Sequence, residues 1–372
     1  KGTIFERAKT LRGQQRIERD NGEDLYFYFL DKDNWNSNTF QVTNQVTIEG
    51  VYKNRYDVTI LVNGLPLVQI ELKRRGVEMA EAFHQIVRYK KSSFASGSAL
   101  FQYVQLFVIS NGVNTKYFAN NKSLNVKQTF YWGDVNNKKI SNLSDFADSF
   151  LEPHHLHKML SKYIVLAETE KALMVLRPYQ YYATEKIIST VENSTNNGYV
   201  WHTTGSGKTL TSFKASQLLM DNPEVFKVVF VVDRRDLDFQ TTKEFNNFSD
   251  GSVDGTDNTK ALVKQFGDDT KLIVTTIQKL NNAIGSSRYE NTMTHLQDKR
   301  IVFIFDECHR TQFGETHKRI KKHFLNSQMF GFTGTPIFAD NAVKNQLGKR
   351  TTKELFGDCL HKYVITDAIK DE

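Results

Sequence analysis

Disulfide-forming residues and long apolar runs are nearly absent from this sequence. Its 372 residues include only two cysteines, Cys308 and Cys359, which cannot build a disulfide framework and indicate a reducing cytoplasm. No apolar run approaches the roughly 20 residues of a membrane span, so we expect no membrane partner. The first twenty residues are charged throughout, unlike a secretory signal peptide. These absences exclude secreted disulfide scaffolds and membrane proteins.

The chain has a globular composition that changes near its middle. Its formal net charge of +7 permits a nucleic-acid partner without requiring one. Residues 1–150 alternate short strands with polar loops, whereas later apolar runs rich in Val, Ile and Phe are typical of parallel strands buried on both faces. The sequence therefore predicts an α/β protein with one domain over 1–150, a helical connector over 151–175 and a doubly wound parallel sheet over 176–372.

Three charged residues, Asp57, Glu71 and Lys73, interrupt an apolar hairpin with the sequence DVTILVNGLPLVQIELK. Side chains alternate along a strand, so a common apolar face for both strands pairs Val58 with Ile70. This register brings Asp57 opposite Glu71, with Lys73 further along the same face. The alternation thus predicts that all three charges converge on one exposed face of the sheet.

The turn of this hairpin decides the register. A two-residue turn of Asn63 and Gly64 alone would put the two apolar sets on opposite faces. We therefore predict an odd loop or a β-bulge. Pro66 is the expected place for it, because proline cannot donate a hydrogen bond to the neighbouring strand.

Two carboxylates across a strand pair repel each other unless a cation lies between them. Mg²⁺ prefers carboxylate oxygens and could activate a water for attack on a phosphoryl group, with Lys73 holding the water or the developing charge. The alternative is a half-exposed strand whose Asp57, Glu71 and Lys73 face solvent. The spacing of the charges resembles PD-(D/E)xK nucleases, although Tyr56 stands where the motif has proline.

A second element supports the nuclease resemblance. In MAEAFHQIVRY, Gln85 and Tyr89 lie one helical turn apart. They match the Q-x-x-x-Y motif of RecB-type nucleases, which implies a mixed sheet with flanking helices and a catalytic role for both residues. A further acidic metal ligand from the first helix region could be Glu6 or Glu18, and the sequence does not choose between them.

A glycine-rich segment, WHTTGSGKTLT, directly follows the apolar residues YVW. Glycines allow backbone N–H groups to approach phosphates, a lysine can reach the β- and γ-phosphates, and a threonine can ligate Mg²⁺. The segment matches the end of a Walker A motif, although His202 stands where the first glycine is usual. It predicts an ATP site formed by Thr204, Gly205, Ser206, Gly207, Lys208 and Thr209.

A pair of carboxylates ends the apolar run RIVFIF. Asp306 and Glu307 follow it directly, at the carboxyl end of an expected buried strand, where ligands bind in open α/β sheets. We expect Asp306 to hold Mg²⁺ and Glu307 to polarise the water that attacks the γ-phosphate. An ordinary turn or helix cap is the alternative explanation, and the phosphate loop upstream makes it the weaker one.

The order of the motifs resembles superfamily 2 helicases and translocases. The resemblance implies an adenine-reading pair in LRPYQYYA, DNA-backbone contacts in VVDRRDLDFQ and VTTIQK, and a link between ATP state and DNA grip in FTGTP. A solvated loop would explain DRRD alone, but its place in the series favours the motif. The implied residues are Arg177 and Gln180 for adenine, Arg234, Arg235, Thr275 and Thr276 for DNA, and Thr333 and Thr335 for coupling.

With the nuclease hairpin and the translocase motifs together, the chain resembles the motor (R) subunit of type I restriction endonucleases. The resemblance implies ATP-driven translocation of double-stranded DNA, Mg²⁺-dependent cleavage, and partnership with methyltransferase (M) and specificity (S) subunits. It also implies that the second RecA-like domain, with its arginines, lies outside these residues, so we expect negligible ATP turnover from them alone.

Two other functions remain open from the sequence. A superfamily 2 helicase or remodeller could carry an inert nuclease-like DNA-binding domain, and separated positions for Asp57, Glu71 and Lys73 would favour it. A P-loop scaffold could bind nucleotide for assembly only, but such a protein needs neither Glu307 nor the DNA-contacting motifs.

Overall fold

The computed structural model describes residues 2–49, 53–92, 99–232, 235–248, 258–308, 313–338 and 351–371. The chain divides into two compact units, Lys1–Pro178 and Tyr179–Glu372. We call them the first and the second unit. In the part of the chain described, no helix is both long enough and apolar enough to cross a membrane.

Short strands dominate the first unit. Its helices are α1 (Ile4–Arg12), α2 (Met79–Ser92), α3 (Leu143–Phe150) and α4 (Pro153–Lys158). Its strands are β1 (Gln15–Glu18), β2 (Asp24–Phe27), β3 (Phe40–Glu49), β4 (Lys53–Val62), β5 (Leu65–Leu72), β6 (Leu106–Ser110), β7 (Thr115–Ala119), β8 (Trp132–Gly133), β9 (Lys139–Ile140), β10 (Ile164–Ala167) and β11 (Ala172–Val175).

A mixed five-stranded sheet in the order β3-β4-β5-β6-β7 forms the centre of the first unit. Only β5 and β6 pair in parallel within it, and α2 lies between them in the chain. The apolar side of α2 packs on this sheet in a cluster that includes Tyr56, Phe83, Ile86, Phe107 and Ile109. This arrangement confirms the predicted mixed sheet with a flanking helix.

The hairpin of β4 and β5 has the register that the apolar pattern predicts. Val58 pairs with Ile70, and the register shifts by one residue next to Pro66. Asn63 and Gly64 form the turn with positive φ angles of 51° and 79°. Both residue types tolerate this left-handed conformation, which a tight hairpin turn requires. The prediction of a bulge near Pro66 is confirmed.

The predicted helical connector is wrong over its second half. Helix α4 is followed by a π-helical turn at Met159–Tyr163, but β10 and β11 then form an antiparallel hairpin. Lys171 adopts a positive φ of 50° in the turn between them. Strand pairing here overrides the helix preference of Ala, Leu and Met, because propensity is a weak determinant beside tertiary contacts.

The second unit alternates strands and helices. Its strands are β12 (Gly198–His202), β13 (Lys227–Val232), β14 (Leu272–Thr276), β15 (Ile301–Phe305), β16 (Ser327–Thr333) and β17 (Asp358–Tyr363). The helices are α5 (Pro178–Asn193), α6 (Lys208–Met220), α7 (Arg235–Phe248), α8 (Thr259–Gly267), α9 (Ile277–Gly285), α10 (Glu290–Thr294), α11 (Phe313–His323), α12 (Thr352–Phe356) and α13 (Ile365–Asp371).

A six-stranded sheet in the order β14-β13-β15-β16-β12-β17 organises the second unit, and all its strand pairs are parallel. Every residue of β13, β14 and β15 is buried, as expected for strands covered on both faces. The predicted parallel sheet is confirmed. Because its strands are parallel, the residues that follow β12, β15 and β16 meet at one edge.

Candidate functional site

The structure brings Asp57, Glu71 and Lys73 together in the first unit. Lys73 Nζ donates to Glu71 Oε1 at 2.9 Å, and Asp57 Oδ2 accepts from the backbone N–H of Leu72 at 2.8 Å. The expectation of an exposed face is wrong, since Glu71 is fully buried. Glu71 pairs beside Ile109, whose side chain belongs to the cluster that packs on α2. The polar face of the hairpin is therefore covered by a helix.

Burial makes Glu71 an unusual acid. It raises the pKa of Glu71 to about 7, and the nearby charge of Asp57 adds to this rise while the hydrogen bond from Lys73 opposes it. Glu71 Oε2 is buried and has no hydrogen-bond partner among the described residues. A divalent cation between the carboxylates would supply the missing partner and offset their repulsion. Asp57 and Glu71 thus fit an Mg²⁺ site.

Helix α2 holds the lysine of this site in position. Lys73 Nζ donates to Gln85 Oε1, and Gln85 Nε2 donates to the hydroxyl oxygen of Tyr89. Tyr89 in turn donates to the carbonyl oxygen of Arg55 at 2.9 Å. This chain of hydrogen bonds joins both predicted helix residues to the hairpin and fixes the direction of the ammonium group.

Among the described residues, neither candidate for an additional acidic ligand makes a hydrogen bond or ion pair with Asp57, Glu71 or Lys73. Glu6 Oε2 accepts from the backbone N–H of Thr3 at 2.6 Å in the capping box of α1, and Glu18 is exposed on β1. Among the described residues, no group of three or more His, Cys, Asp and Glu side chains is arranged to hold a metal. The centre that the structure supports consists of two carboxylates.

The phosphate loop of the second unit connects β12 to α6. Gly205 and Gly207 have φ angles of +80° and +78°, which glycine adopts without strain. Gly207 is the N-cap of α6 and gives no side-chain cap, so the first N–H groups of the helix can donate hydrogen bonds to an anion. Ser206 Oγ closes the loop by donating to the carbonyl of Thr203 at 2.7 Å.

Lys208 faces the carboxylate pair across this loop. Its Nζ lies 3.4 Å from Glu307 Oε1, and the backbone N–H of Glu307 donates to Asp306 Oδ1 at 3.0 Å. Burial raises the pKa of Asp306 to about 6, the charge of Glu307 adds to the rise, and Lys208 opposes it. A half-buried acid of this kind fits an Mg²⁺ ligand, and Thr209 offers a hydroxyl in the first turn of α6.

Two residues of α5 support the loop. Gln180 Nε2 donates to the carbonyls of Ser206 and Gly207 at 3.2 and 3.3 Å. Tyr179, which sequence reasoning missed, donates from its hydroxyl to Ser206 O at 2.8 Å. Its only signal was an aromatic residue beside the expected adenine-reading glutamine. Arg177, the other expected adenine contact, belongs to the first unit, where its guanidinium lies 4.6 Å from the Phe130 ring centroid.

A buried histidine pair beneath the loop was also missed. His202 Nε2 lies 3.0 Å from His361 Nδ1 on β17, and burial lowers the pKa of His202 well below its ordinary value. Tyr363 on the same strand stacks on Tyr179 with ring centroids 3.6 Å apart. Nothing local in the sequence signals these contacts, because their partners lie more than 150 residues apart.

The expected DNA contacts need correction. Thr275 and Thr276 are fully buried, so their side chains cannot reach DNA in this conformation. Thr276 Oγ1 instead accepts from the backbone N–H of Lys279 at 3.3 Å as the N-cap of α9. Arg234 lies outside the described residues, and Arg235 is the first residue of α7.

The expected coupling residues follow β16 beside the phosphate loop. Thr333 is buried, and its Oγ1 accepts from the backbone N–H of Thr335 at 3.1 Å. The carbonyl of Gly334 accepts from Trp201 Nε1 on β12 at 3.2 Å. A Cβ on Gly334 would meet Thr204 Oγ1 at 3.3 Å. This turn therefore packs against the start of the loop.

Two protein families match different parts of the chain. The family described as "SWI2/SNF2 ATPase" matches residues 179–372, and the family described as "Type I restriction enzyme R protein N terminus" matches residues 4–126. The second unit is thus a SWI2/SNF2 ATPase domain, in agreement with the predicted use of ATP.

Relatives extend this assignment across the chain. The chain is 53% identical over 371 residues to the type I restriction enzyme SauMRSORF196P endonuclease subunit of Staphylococcus aureus strain MRSA252. The match covers 99% of this chain and 39% of that protein. The chain is 48% identical over 178 residues to the EcoprrI endonuclease subunit of Escherichia coli, covering 47% of this chain and 56% of that one.

A third relative is covered almost completely. A Mycoplasma pneumoniae protein, provisionally named as the C-terminal part of the type I restriction enzyme MpnIIP endonuclease subunit, is 44% identical over 206 residues, which are 52% of this chain and 99% of that protein. The chain belongs to the family of type I restriction enzyme endonuclease subunits, which confirms the resemblance drawn from its motifs. It spans 39% of the length of its staphylococcal relative.

Proposed function

We propose that the protein carrying this sequence cuts double-stranded DNA with Mg²⁺ in its first unit and translocates DNA by ATP hydrolysis in its second. It does so as the endonuclease subunit of a type I restriction-modification enzyme, with methyltransferase and specificity subunits as partners in the cytoplasm. Buried Glu71 carries the proposal, because a carboxylate with an unpartnered oxygen beside Asp57 and Lys73 has no structural purpose that a neutral residue would not serve better.

In the proposed nuclease site, Asp57 and Glu71 hold the metal. When bound, Mg²⁺ lowers the pKa of a coordinated water and stabilises negative charge on the phosphoryl oxygens. Lys73 donates a hydrogen bond to the attacking water or to the developing charge, since Glu71 and Gln85 already fix its ammonium group. Tyr89 keeps Gln85 in the orientation that accepts from Lys73.

In the proposed ATPase site, the N–H groups at the start of α6 and Lys208 bind the phosphates. Thr209 and Asp306 hold Mg²⁺, and Glu307 orients the attacking water. Lys208 must leave Glu307 when nucleotide enters, which frees the carboxylate for this role. Thr333 and Thr335 connect the loop to the DNA grip, and Arg234 and Arg235 contact the DNA backbone.

A plasmid assay with the complete protein and its two partner subunits tests the proposal. A circular plasmid carrying a recognition site should be linearised only when both ATP and Mg²⁺ are present. Translocation measured by triplex displacement should need ATP and should persist when a metal that does not support cleavage replaces part of the Mg²⁺. Translocation without any cleavage under all conditions would instead identify a remodeller whose first unit is inert.

A further inference from the structure

A cavity of about 440 Å³ opens beside the proposed nuclease site. Lys73 and Gln85 line it, and these are the residues that join the hairpin to α2. Lys73 also donates to Glu71 on its other side. A group that enters the cavity therefore lies next to the carboxylate centre, with one shared lysine between them.

The remaining charged lining of this cavity is mainly basic. Arg74 comes from the end of the hairpin, and Glu81, His84 and Arg88 come from α2. Residues three, four and seven positions apart lie on one side of a helix, so the three α2 residues point to a common surface. The two arginines outnumber the one acid, and all four side chains are exposed to solvent. This excess of basic side chains favours an anionic group in the cavity.

We propose that this cavity binds the phosphodiester backbone of the DNA strand that is cut, immediately beside the scissile phosphate. The inference rests on the proposed nuclease function and adds a binding site to it. Arg74 and Arg88 present planar guanidinium groups that bind phosphate oxygens in pairs. Lys73 both lines the cavity and donates to Glu71, so a DNA strand bound in the cavity lies next to the Asp57 and Glu71 carboxylates.

Binding of a fluorescent DNA duplex to the full chain tests this site. Measurements in EDTA prevent cleavage and remove any contribution from a bound metal. Each phosphate contact that is lost should lower the slope of log affinity against log salt by about 0.9. We expect Arg74→Ala/Arg88→Ala to lower the slope by about 2 and to weaken binding at least tenfold. Arg19→Ala, an exposed arginine on the surface of the same unit, is the matched control and should change neither quantity.

Two further variants separate charge from folding. Glu81→Gln removes the one acid of the lining and should tighten DNA binding two- to fivefold, which a misfolded protein cannot do. Arg74→Lys/Arg88→Lys keeps the charge and should restore most of the slope. A polyglutamate competitor should displace DNA poorly. Equal competition by polyglutamate, or an unchanged slope in Arg74→Ala/Arg88→Ala, overturns the assignment to DNA.

Failure of the cavity inference can be distinguished from failure of the nuclease proposal. If Arg74→Ala/Arg88→Ala binds DNA normally while Glu71→Ala abolishes cleavage, the cavity inference fails and the nuclease stands. If the same double variant loses DNA binding in a protein that never cuts, the cavity is a DNA-backbone site, but the nuclease proposal and the position beside a scissile phosphate both fail.

Discussion

In the first unit, two side chains fix the position of the site's lysine, Lys73. In the second unit, the backbone of the phosphate loop mainly sets the position of the lysine, Lys208. Lys73 donates to Glu71 at 2.9 Å and to Gln85. Lys208 lies a longer 3.4 Å from Glu307 and begins the helix that follows Gly207. The first lysine is preorganised for one geometry. The second keeps the freedom to exchange its carboxylate for a phosphate.

The two sites nevertheless share an electrostatic feature. Burial is the largest cause of the raised pKa at both Glu71 and Asp306. Glu71 meets its neighbouring acid across a hairpin, while Asp306 meets Glu307 along the chain. Different topologies thus place a desolvated acid, buried Glu71 or half-buried Asp306, next to a second acid and a lysine, and at both sites a cation would offset the repulsion between the acids.

The largest expected effect is that a substitution in one site abolishes that site's activity and leaves the activity of the other site unchanged. Glu71→Ala should lower DNA cleavage by at least about 10²–10³-fold, the usual loss when one preorganised charge is removed from a site. DNA-stimulated ATP hydrolysis should stay near wild type. Lys208→Ala should lower ATP hydrolysis by a similar factor. Plasmid cleavage and phosphate release by the complete enzyme measure both activities.

Two controls complete this comparison. Lys73→Ala should behave like Glu71→Ala, and Lys122→Ala, an exposed lysine of the same unit, should behave like wild type. Loss of ATP hydrolysis in a folded Glu71→Ala protein would contradict the assignment of the two chemistries to separate units.

A second prediction concerns stability and pH. The folded state favours protonated Glu71, whose pKa is raised to about 7, so stability falls as pH rises from about 4.5 through 7. Glu71→Gln removes this loss. In EDTA at pH 8 the variant should gain about 3 kcal/mol over wild type, from ~1.4 kcal/mol per pKa unit, and the gain should vanish near pH 4.

Urea unfolding at both pH values measures this difference. Asp306→Asn should show a gain of the same sign, because burial also raises the pKa of Asp306, from 3.8 to about 6. Added Mg²⁺ should shrink the Glu71→Gln advantage, since the metal stabilises the ionised wild-type site. An advantage that stays constant from pH 4 to pH 8 would argue against a buried, titrating acid.

The backbone of the phosphate loop gives a third prediction. Gly207→Ala places a Cβ at φ +78° and 2.7 Å from Gln180 Nε2. A left-handed conformation costs a non-glycine residue about 1–2 kcal/mol, so ATP affinity should fall roughly tenfold. Gly285→Ala is the matched control, because a Cβ there meets nothing within 4 Å. Equal nucleotide affinity in the two variants would show that the loop tolerates other geometries.

The β4–β5 hairpin shows which features of the first unit can be predicted from the sequence alone. Its register followed from the alternation of apolar residues, and the bulge followed from parity, because both depend on neighbours within twenty positions. The cover that α2 places over Glu71 did not follow, since it depends on packing between elements. For the same reason the exposed basic side of α2, with His84 and Arg88, went unnoticed beside the motif residue Gln85.

The parallel sheet was predicted for a similar local reason, since its strands are continuous apolar runs. What a motif residue contacts was harder to foresee. Thr276 matched a DNA-contacting position, but burial at the end of β14 depends on the strand and helices around it. Tyr179 reached the loop through the fold, and only the structure reveals its bond to Ser206.

The smallest expected effect concerns Thr276, which was expected to contact DNA and is buried as the N-cap of α9. Thr276 Oγ1 caps α9, so Thr276→Ala should cost about 1 kcal/mol in the free energy of unfolding. Thr276→Ser keeps the capping hydroxyl and should recover most of that loss. Because the side chain is fully buried, neither variant should change DNA affinity or its salt slope. A Thr276→Ala protein of normal stability that binds DNA tenfold more weakly would restore the DNA contact expected from the motif.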